Sequence, residues 1–203
     1  FQDLLRAADR ACYRAKAGGR DRVEVADPAV DEDGAGPERD WRGRIEGALA
    51  GEGFILYGQG IVPFTRRAED KACVEVLLRL ADGDDGPALP AAFLPAAERH
   101  GLMPRVDEWV VRGVLEHLAG RAEASTVYTV NLAGQSVAEP GFTERITNLV
   151  RASEVDCRRL CFELAATPAL ADLDAARASV SRVRELGSRV GPGNLVGGLP
   201  SLA

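Results

Sequence analysis

The chain has 203 residues, long for one domain of about 100–200 residues and short for two. Lys+Arg 25 against Asp+Glu 31 leaves a net charge of −6, which excludes a surface built for general nucleic-acid binding. Hydrophobic residues at 46% and charged residues at 28% exclude wholesale disorder, and no apolar run approaches the roughly 18 residues of a membrane span.

The start shows no charged, apolar and small-residue leader, so a cytoplasmic location is the expectation. Cysteine usage agrees with a reducing compartment: Cys12, Cys73, Cys157 and Cys161 sit among apolar neighbours. Cys157 and Cys161 are four apart, with no histidine or second cysteine pair nearby to complete a zinc set. With only His100 and His117 present, any hydrolytic chemistry must lean on carboxylates or metals.

In chain order, residues 1–17 are predicted to form a helix, because Leu4, Leu5, Ala8, Ala11, Cys12 and Ala15 recur at helical spacing. Gly18-Gly19 stops it. Val23-Glu24-Val25 reads as a short strand. Residues 27–40, with Pro28, Pro37, two glycines and an acidic run at 31–33, read as a solvated linker. From Trp41 the rhythm changes. Helices are predicted at 41–50, 91–99, 106–119, 140–152 and 172–186. Strands are predicted at Phe54–Tyr57, Val74–Leu80, Val127–Leu132 and Leu160–Leu164, with a fifth starting at Arg189-Val190.

This alternation of buried strands and helices is the α/β class, since parallel strands covered on both faces read as apolar runs. Five strands could close an open doubly wound sheet. They could not complete a (β/α)₈ barrel, which needs about 250 residues.

Polar residues stand out against those strands, because a charge in an apolar run is costly unless it is used or paired. Gln59 follows the first strand. Glu75 lies inside the second, with Arg79 four residues on and therefore on the same side. Asn131 ends the third and Glu163 the fourth. Strand ends converge at the carboxyl edge of a parallel sheet. There two carboxylates and an amide oxygen would suit Mg²⁺ or Mn²⁺, and Arg79 would suit an anionic substrate such as a phosphate. Ion pairs and capped strand ends are the alternative on spacing alone. The loop Asp82-Gly83-Asp84-Asp85-Gly86 lacks the spacing and final glutamate of an EF-hand and reads as a solvated turn.

Several ordered stretches between 44 and 190 resemble one family. Phe54-Ile55-Leu56-Tyr57-Gly58-Gln59-Gly60-Ile61-Val62 is similar to the opening strand of the EAL domain. Glu75-Val76-Leu77-Leu78-Arg79 is similar to its signature Glu-Ala-Leu-Leu-Arg. Phe93-Leu94-Pro95-Ala96-Ala97-Glu98, Gly101-Leu102-Met103 and Trp109-Val110 resemble its long connection and helix. Val130-Asn131-Leu132 and Glu163-Leu164-Ala165-Ala166 resemble its third and fourth strand ends. The resemblance implies the first half of a (β/α)₈ barrel of the cyclic di-GMP phosphodiesterase family.

In that family two divalent metals activate water to open one phosphodiester, giving linear pGpG. Carried over by position, Glu75, Asn131 and Glu163 would be metal ligands, and Gln59 and Arg79 would touch the dinucleotide. Where the family has paired aspartates after the fifth strand, this chain has Gly193 and Asn194. Where it has a second glutamate after the fourth, this chain has Ala166. The family's later lysine, glutamate and glutamine fall beyond Ala203.

The first residues resemble another family: Ala8-Asp9-Arg10-Ala11-Cys12-Tyr13-Arg14-Ala15-Lys16-Ala17-Gly18-Gly19-Arg20 is similar to the final helix of a GGDEF (diguanylate cyclase) domain. Its signature loop is not in this sequence, so no cyclase activity is expected of it. The organisation implied is a GGDEF remnant over 1–26, a linker over 27–40, and the N-terminal portion of a degenerate EAL domain over 41–203.

The function expected is a regulatory module that binds cyclic di-GMP or a protein partner, a second copy included, without hydrolysis. The alternatives are a phosphodiesterase completed in a longer parent protein and an inert scaffold. Half a barrel leaves open sheet edges, so 41–203 alone is expected to be marginal or to associate.

Overall fold

The computed structural model describes Ala11, Ala15 and residues 21–25, 40–51, 53–62, 71–81, 86–121, 126–165 and 181–193. The chain divides into two compact units, 1–41 and 42–203. In the first, Ala11 and Ala15 are helical. Val23–Val25 belong to no strand, contrary to the sequence expectation, and Val23 and Val25 are 91% and 78% exposed. Two β-branched residues raise strand propensity, but a strand persists only where its backbone is paired and a face is covered. Of the expected linker, only Asp40 lies among the described residues.

The second unit is built on one five-stranded sheet. Helix α1 spans Trp41–Ala50, strand β1 Phe54–Ile61 and strand β2 Cys73–Leu80. Helices α2 and α3 follow at Pro90–Arg99 and Met103–Leu118, then β3 at Val127–Leu132. A short α4 at Gly134–Ala138 and α5 at Phe142–Ala152 lead to β4 at Leu160–Ala165, and β5 spans Arg189–Gly193. Of the helix expected over 172–186, residues 181–185 are described and helical.

Local chemistry explains the boundaries. Pro90 opens α2 and Pro104 lies in the first turn of α3, where a missing N–H costs nothing. This lets α3 begin at Met103 rather than at 106. Gly101, at φ 65°, makes the left-handed turn between α2 and α3. Gly141, at φ 81°, does the same before α5, which therefore starts at Phe142 and not at 140.

The strands run in the order β1-β2-β3-β4-β5. β2 through β5 are parallel, but β1 pairs with β2 antiparallel, from Phe54↔Leu80 to Ile61↔Cys73. The uniformly parallel alternation read from the sequence is therefore corrected to a mixed sheet. Fewer residues separate Ile61 from Cys73 than the dozen or more that a parallel crossover takes, so the chain returns as a hairpin.

Burial separates the two faces. Phe54, Val76, Leu78, Leu80, Val130, Leu132, Leu160 and Phe162 point to one side and are buried. That side meets the helices: Phe54 packs on Phe93 of α2 and Trp109 of α3 at ring separations of 6.0 and 5.2 Å. Leu132, Phe162 and Val190 close with Phe142, Ile146 and Val183 around an apolar void of about 10 Å³. A doubly wound sheet would carry helices on both faces. Here the helix contacts just described lie on this one face, which is the arrangement of a barrel wall.

The opposite face carries Tyr57, Gln59, Cys73, Glu75, Leu77, Arg79, Thr129, Asn131, Cys161, Glu163 and Arg189, by strand alternation. Most of these are half-buried. On β1 this face also shows Ile55, Tyr57 and Ile61, at 39%, 48% and 46% exposure.

Candidate functional site

Register sets the site. Gln59, Glu75, Thr129, Cys161 and Arg189 lie in one row across the sheet, each opposite the next. The next row toward the carboxyl edge of the parallel strands holds Asn131, Glu163 and Gly191, each opposite the next, with Leu77 two residues past Glu75 on β2. Asn131 is therefore not level with Glu75. It reaches back diagonally, its Nδ2 donating to Glu75 Oε1 at 3.0 Å. Asn131 and Glu163 are direct cross-strand neighbours. A side chain at Gly191 would stand in ordinary contact with Glu163 Cγ, at 3.8 Å.

Glu75 lies inside β2, third in the strand, as the sequence implies. Gln59 does not follow the first strand: it is sixth in β1, inside the ladder and opposite Glu75. The hairpin pairs straight through Gly58 and Gly60. Arg79 is on the same face as Glu75, as expected, but two rows nearer the carboxyl edge. Its Nη1 donates to the Leu78 carbonyl at 2.7 Å and its guanidinium stands 5.7 Å from the ring of Tyr57. Arg79 thus stands beside an aromatic near the carboxyl end of β2, where it could meet an anion.

Gly193 ends β5 opposite Ala165, on the side that carries Gly191 and Glu163. It brings no carboxylate to that side. Asn194 and Ala166 lie outside the described residues.

The donor set tests which cation could sit here. Glu75, Glu163 and the Asn131 amide offer hard oxygen donors and two formal negative charges, with Asn131 of β3 between the carboxylates of β2 and β4. That suits one Mg²⁺ or Mn²⁺, which completes its shell with water or phosphate oxygen. A pair of ions about 3.5–4 Å apart needs more anionic ligands than this. Among the described residues no three of His, Cys, Asp and Glu are grouped as a metal site. Cys73, Cys157 and Cys161 are free thiols.

Two groups near the site were not singled out from the sequence. Beneath the carboxylates, Cys73 Sγ and Thr129 Oγ1 are 3.5 Å apart. Cys161 in the same layer has its thiol pushed up by burial first and by Glu163 and Cys73 next, against Arg189 and Thr129. It stays a neutral thiol at physiological pH.

The other is Asp107 on α3, which is 5% exposed. Its Oδ2 accepts the Ala133 N–H at 2.8 Å. Burial pushes its carboxyl up to about 7, with repulsion from Glu98 of α2 adding to this, against the Ser136 side chain and the Ala133 N–H. The signal was in the sequence: Met103, Val106, Val110, Val111 and Val114 mark the buried stripe of α3, and Asp107 falls inside it.

The folded protein holds this proton up to about pH 7, whereas the unfolded chain releases it near 3.8. Stability therefore falls as pH rises through that window and levels off above it. Asp107→Asn is expected to remove this decline and to match or exceed wild-type stability at pH 8. Urea midpoints of the two proteins across that range check this. A wild-type minus variant difference that did not change with pH would contradict it.

Comparison with known proteins was made against this geometry. The EAL domain family model matches residues 42–202. Cyclic di-GMP phosphodiesterase PdeB of Shewanella oneidensis is 29% identical over 191 residues, covering 92% of this chain and 22% of that protein. Cyclic di-GMP phosphodiesterase PdeF of Escherichia coli is 29% identical over 149 residues, covering 72% of this chain and 19% of that protein. The chain thus spans about a fifth of the length of these relatives. Among solved structures, the EAL domain of FimX from Pseudomonas aeruginosa bound to c-di-GMP superposes with a TM-score of 0.66 at 26% identity. It covers 74% of this chain and 60% of that one. Among the described residues, no helix is long and apolar enough to cross a membrane. A mixed five-stranded sheet with helices on one face and polar residues on the other, the Glu75-Val76-Leu77 signature on β2 and a family match over residues 42–202 agree: the chain belongs to the EAL domain family.

Proposed function

We propose that the domain is a regulatory module that binds cyclic di-GMP without cleaving it. One observation carries this reading. Gln59, Glu75, Asn131, Glu163 and Arg79 share a single face, while β5 reaches the same face with Gly193 and no carboxylate. The binding half of a metal–phosphate site is kept and an ion-holding position is lost. Mg²⁺ or Mn²⁺ would be held by Glu75, Glu163 and the Asn131 oxygen, where it supplies a counter-charge for phosphate. Arg79 would engage a phosphate oxygen and Gln59 the dinucleotide beside Glu75. The FimX EAL domain bound to c-di-GMP, with the same fold, supports binding as the retained property.

Arg79→Ala is expected to weaken cyclic di-GMP binding by roughly tenfold or more, since a charge-assisted hydrogen bond contributes about 1.5–3 kcal/mol. Isothermal titration of the 203-residue chain checks it. Unchanged affinity would remove Arg79 from the site.

A second reading is a phosphodiesterase whose metal site is completed in a longer protein. The names of the two relatives, both cyclic di-GMP phosphodiesterases, favour it, as does the small share of their length that this chain spans.

The domain organisation belongs to the same proposal: a GGDEF remnant over 1–26, a linker over 27–40 and the EAL portion from 41 in a cytoplasmic protein. The PdeB match covers 92% of this chain, so it extends upstream of the EAL match that starts at 42. A protein partner or a second copy would cover the β1 side of the inner face, where Ile55, Tyr57 and Ile61 are exposed. Residues 41–203 alone are accordingly expected to elute from a sizing column as associated species. A sharp monomer with a cooperative melt would contradict this.

A further inference from the structure

The structure assigns Asp107 a positioning role: we propose that, through the Ala133 N–H, it sets the end of β3 so that the Asn131 amide meets Glu75. This rests on reading Glu75, Asn131 and Glu163 as the ligand site.

Ala133 is the residue at which the chain leaves β3 and turns into α4. Its backbone is extended, at φ −72° and ψ 144°, and its side chain does not cap α4. The N–H that fixes the turn is instead taken by Asp107 Oδ2 at 2.8 Å. On its other side the turn is fastened to α2, where Gln135 Nε2 donates to the Glu98 carbonyl at 3.0 Å. Asp107 itself is anchored in the buried stripe of α3. A carboxyl in that position is costly to bury unless it is hydrogen-bonded, and a hydrophobic residue would pack the stripe without that cost.

What the bond achieves lies two residues back. Asn131 and Ala133 share a strand direction, and the contact from Asn131 to Glu75 is diagonal, since Thr129 and not Asn131 stands opposite Glu75. A directly opposed pair is fixed by the ladder. A diagonal one depends on how the last residues of the strand are tilted. Asp107 holds that tilt from behind the sheet, while its own side chain stays away from the face on which a ligand would sit. It is a positioning residue and not a ligand.

The test uses the 203-residue chain at a temperature where circular dichroism shows each variant folded. The first readout is the nuclear magnetic resonance signal of the Asn131 side-chain amide. Asp107→Ala is expected to move it, and Asp107→Asn, whose Oδ1 still accepts the Ala133 N–H, to leave it near the wild-type position. Ala133→Pro fits the existing φ and removes the donor, its ring Cδ displacing the Asp107 carboxyl. It should reproduce the Asp107→Ala shift, and it serves if Asp107→Ala does not fold.

The second readout is Mn²⁺ affinity. Asp107→Ala is expected to lose about tenfold alone and less than twofold in an Asn131→Ala background, because coupled sites are not additive. An unmoved Asn131 signal in both Asp107→Ala and Ala133→Pro, or fully additive losses, would overturn the proposal. If the wild-type chain bound no Mn²⁺, the ligand-site reading would fail, and the resonance readout would still decide the positioning role.

Discussion

Gly193→Asp combined with Asn194→Asp is expected to tighten Mn²⁺ binding by tenfold or more, with Gly193→Asp giving much of the gain alone. Gly193 closes β5 on the face that already holds Glu163, two residues past the Gly191↔Glu163 pair. A carboxylate there would face the same ion as Glu75 and Glu163. Ligand charge count is what tunes divalent-cation affinity at oxygen sites. Even at an effective dielectric of 20, a unit pair at 4 Å gains about 4 kcal/mol before desolvation. A tenfold gain, about 1.4 kcal/mol, is a conservative remainder.

The apo protein should pay for the same change. A third carboxylate near two others repels them, so the melting temperature is expected to fall without metal and to recover when Mn²⁺ is added. Titration of both variants checks the affinity, and melting with and without Mn²⁺ checks the linkage. An unchanged Mn²⁺ affinity would mean that the Gly193 position does not face the Glu75–Asn131–Glu163 site.

Phe162→Ala carries the largest expected cost to the fold. Phe162 is 1% exposed and stands on the helix-covered face between Val130 and Val190, lining one void with Phe142 and Ile146. The void already there is only about 10 Å³ and its lining is apolar, so it offers little room for collapse around a deleted ring and no partners for water. Removing a buried phenylalanine side chain costs about 3–5 kcal/mol. That is a large part of the 5–15 kcal/mol typical of a domain.

The change should be felt on the other face too. Cys161 and Glu163 flank Phe162 and point toward the site, so a loosened β4 loosens Glu163. Urea unfolding is expected to show the loss of stability. Mn²⁺ affinity, measured where the variant is still folded, should drop with it. A loss under about 1 kcal/mol would contradict the one-sided packing that makes this sheet a barrel wall.

The sequence made the elements legible where pattern and partner agree. β3 and β4 are apolar runs bounded by turn residues, and both were placed to within a residue. β1 reads only as far as Tyr57 in the sequence, where the run of large apolar residues stops. Only pairing with β2 reveals that the strand continues to Ile61. Strand direction is not encoded in an apolar run, so the antiparallel hairpin is visible only in the pairing of β1 with β2. Val23–Val25 had propensity without a covering layer.

For the site, Glu75, Arg79, Asn131 and Glu163 were legible as charges and amides in buried runs. Their arrangement was not, because it depends on register. Nothing local says that Asn131 reaches Glu75 diagonally or that Gln59 stands opposite Glu75. Asp107 was readable as a carboxylate in a buried helical stripe. What it binds, the Ala133 N–H some two dozen residues on, is a tertiary fact.

The central claim is that the binding half of the site persists without the catalytic half. The most direct measurement is calorimetric titration of the 203-residue chain with cyclic di-GMP in the presence of Mg²⁺ or Mn²⁺, with the same mixture then analysed by chromatography for pGpG. The account predicts saturable binding with cyclic di-GMP recovered intact. Appearance of pGpG, or no binding with either ion, would contradict it.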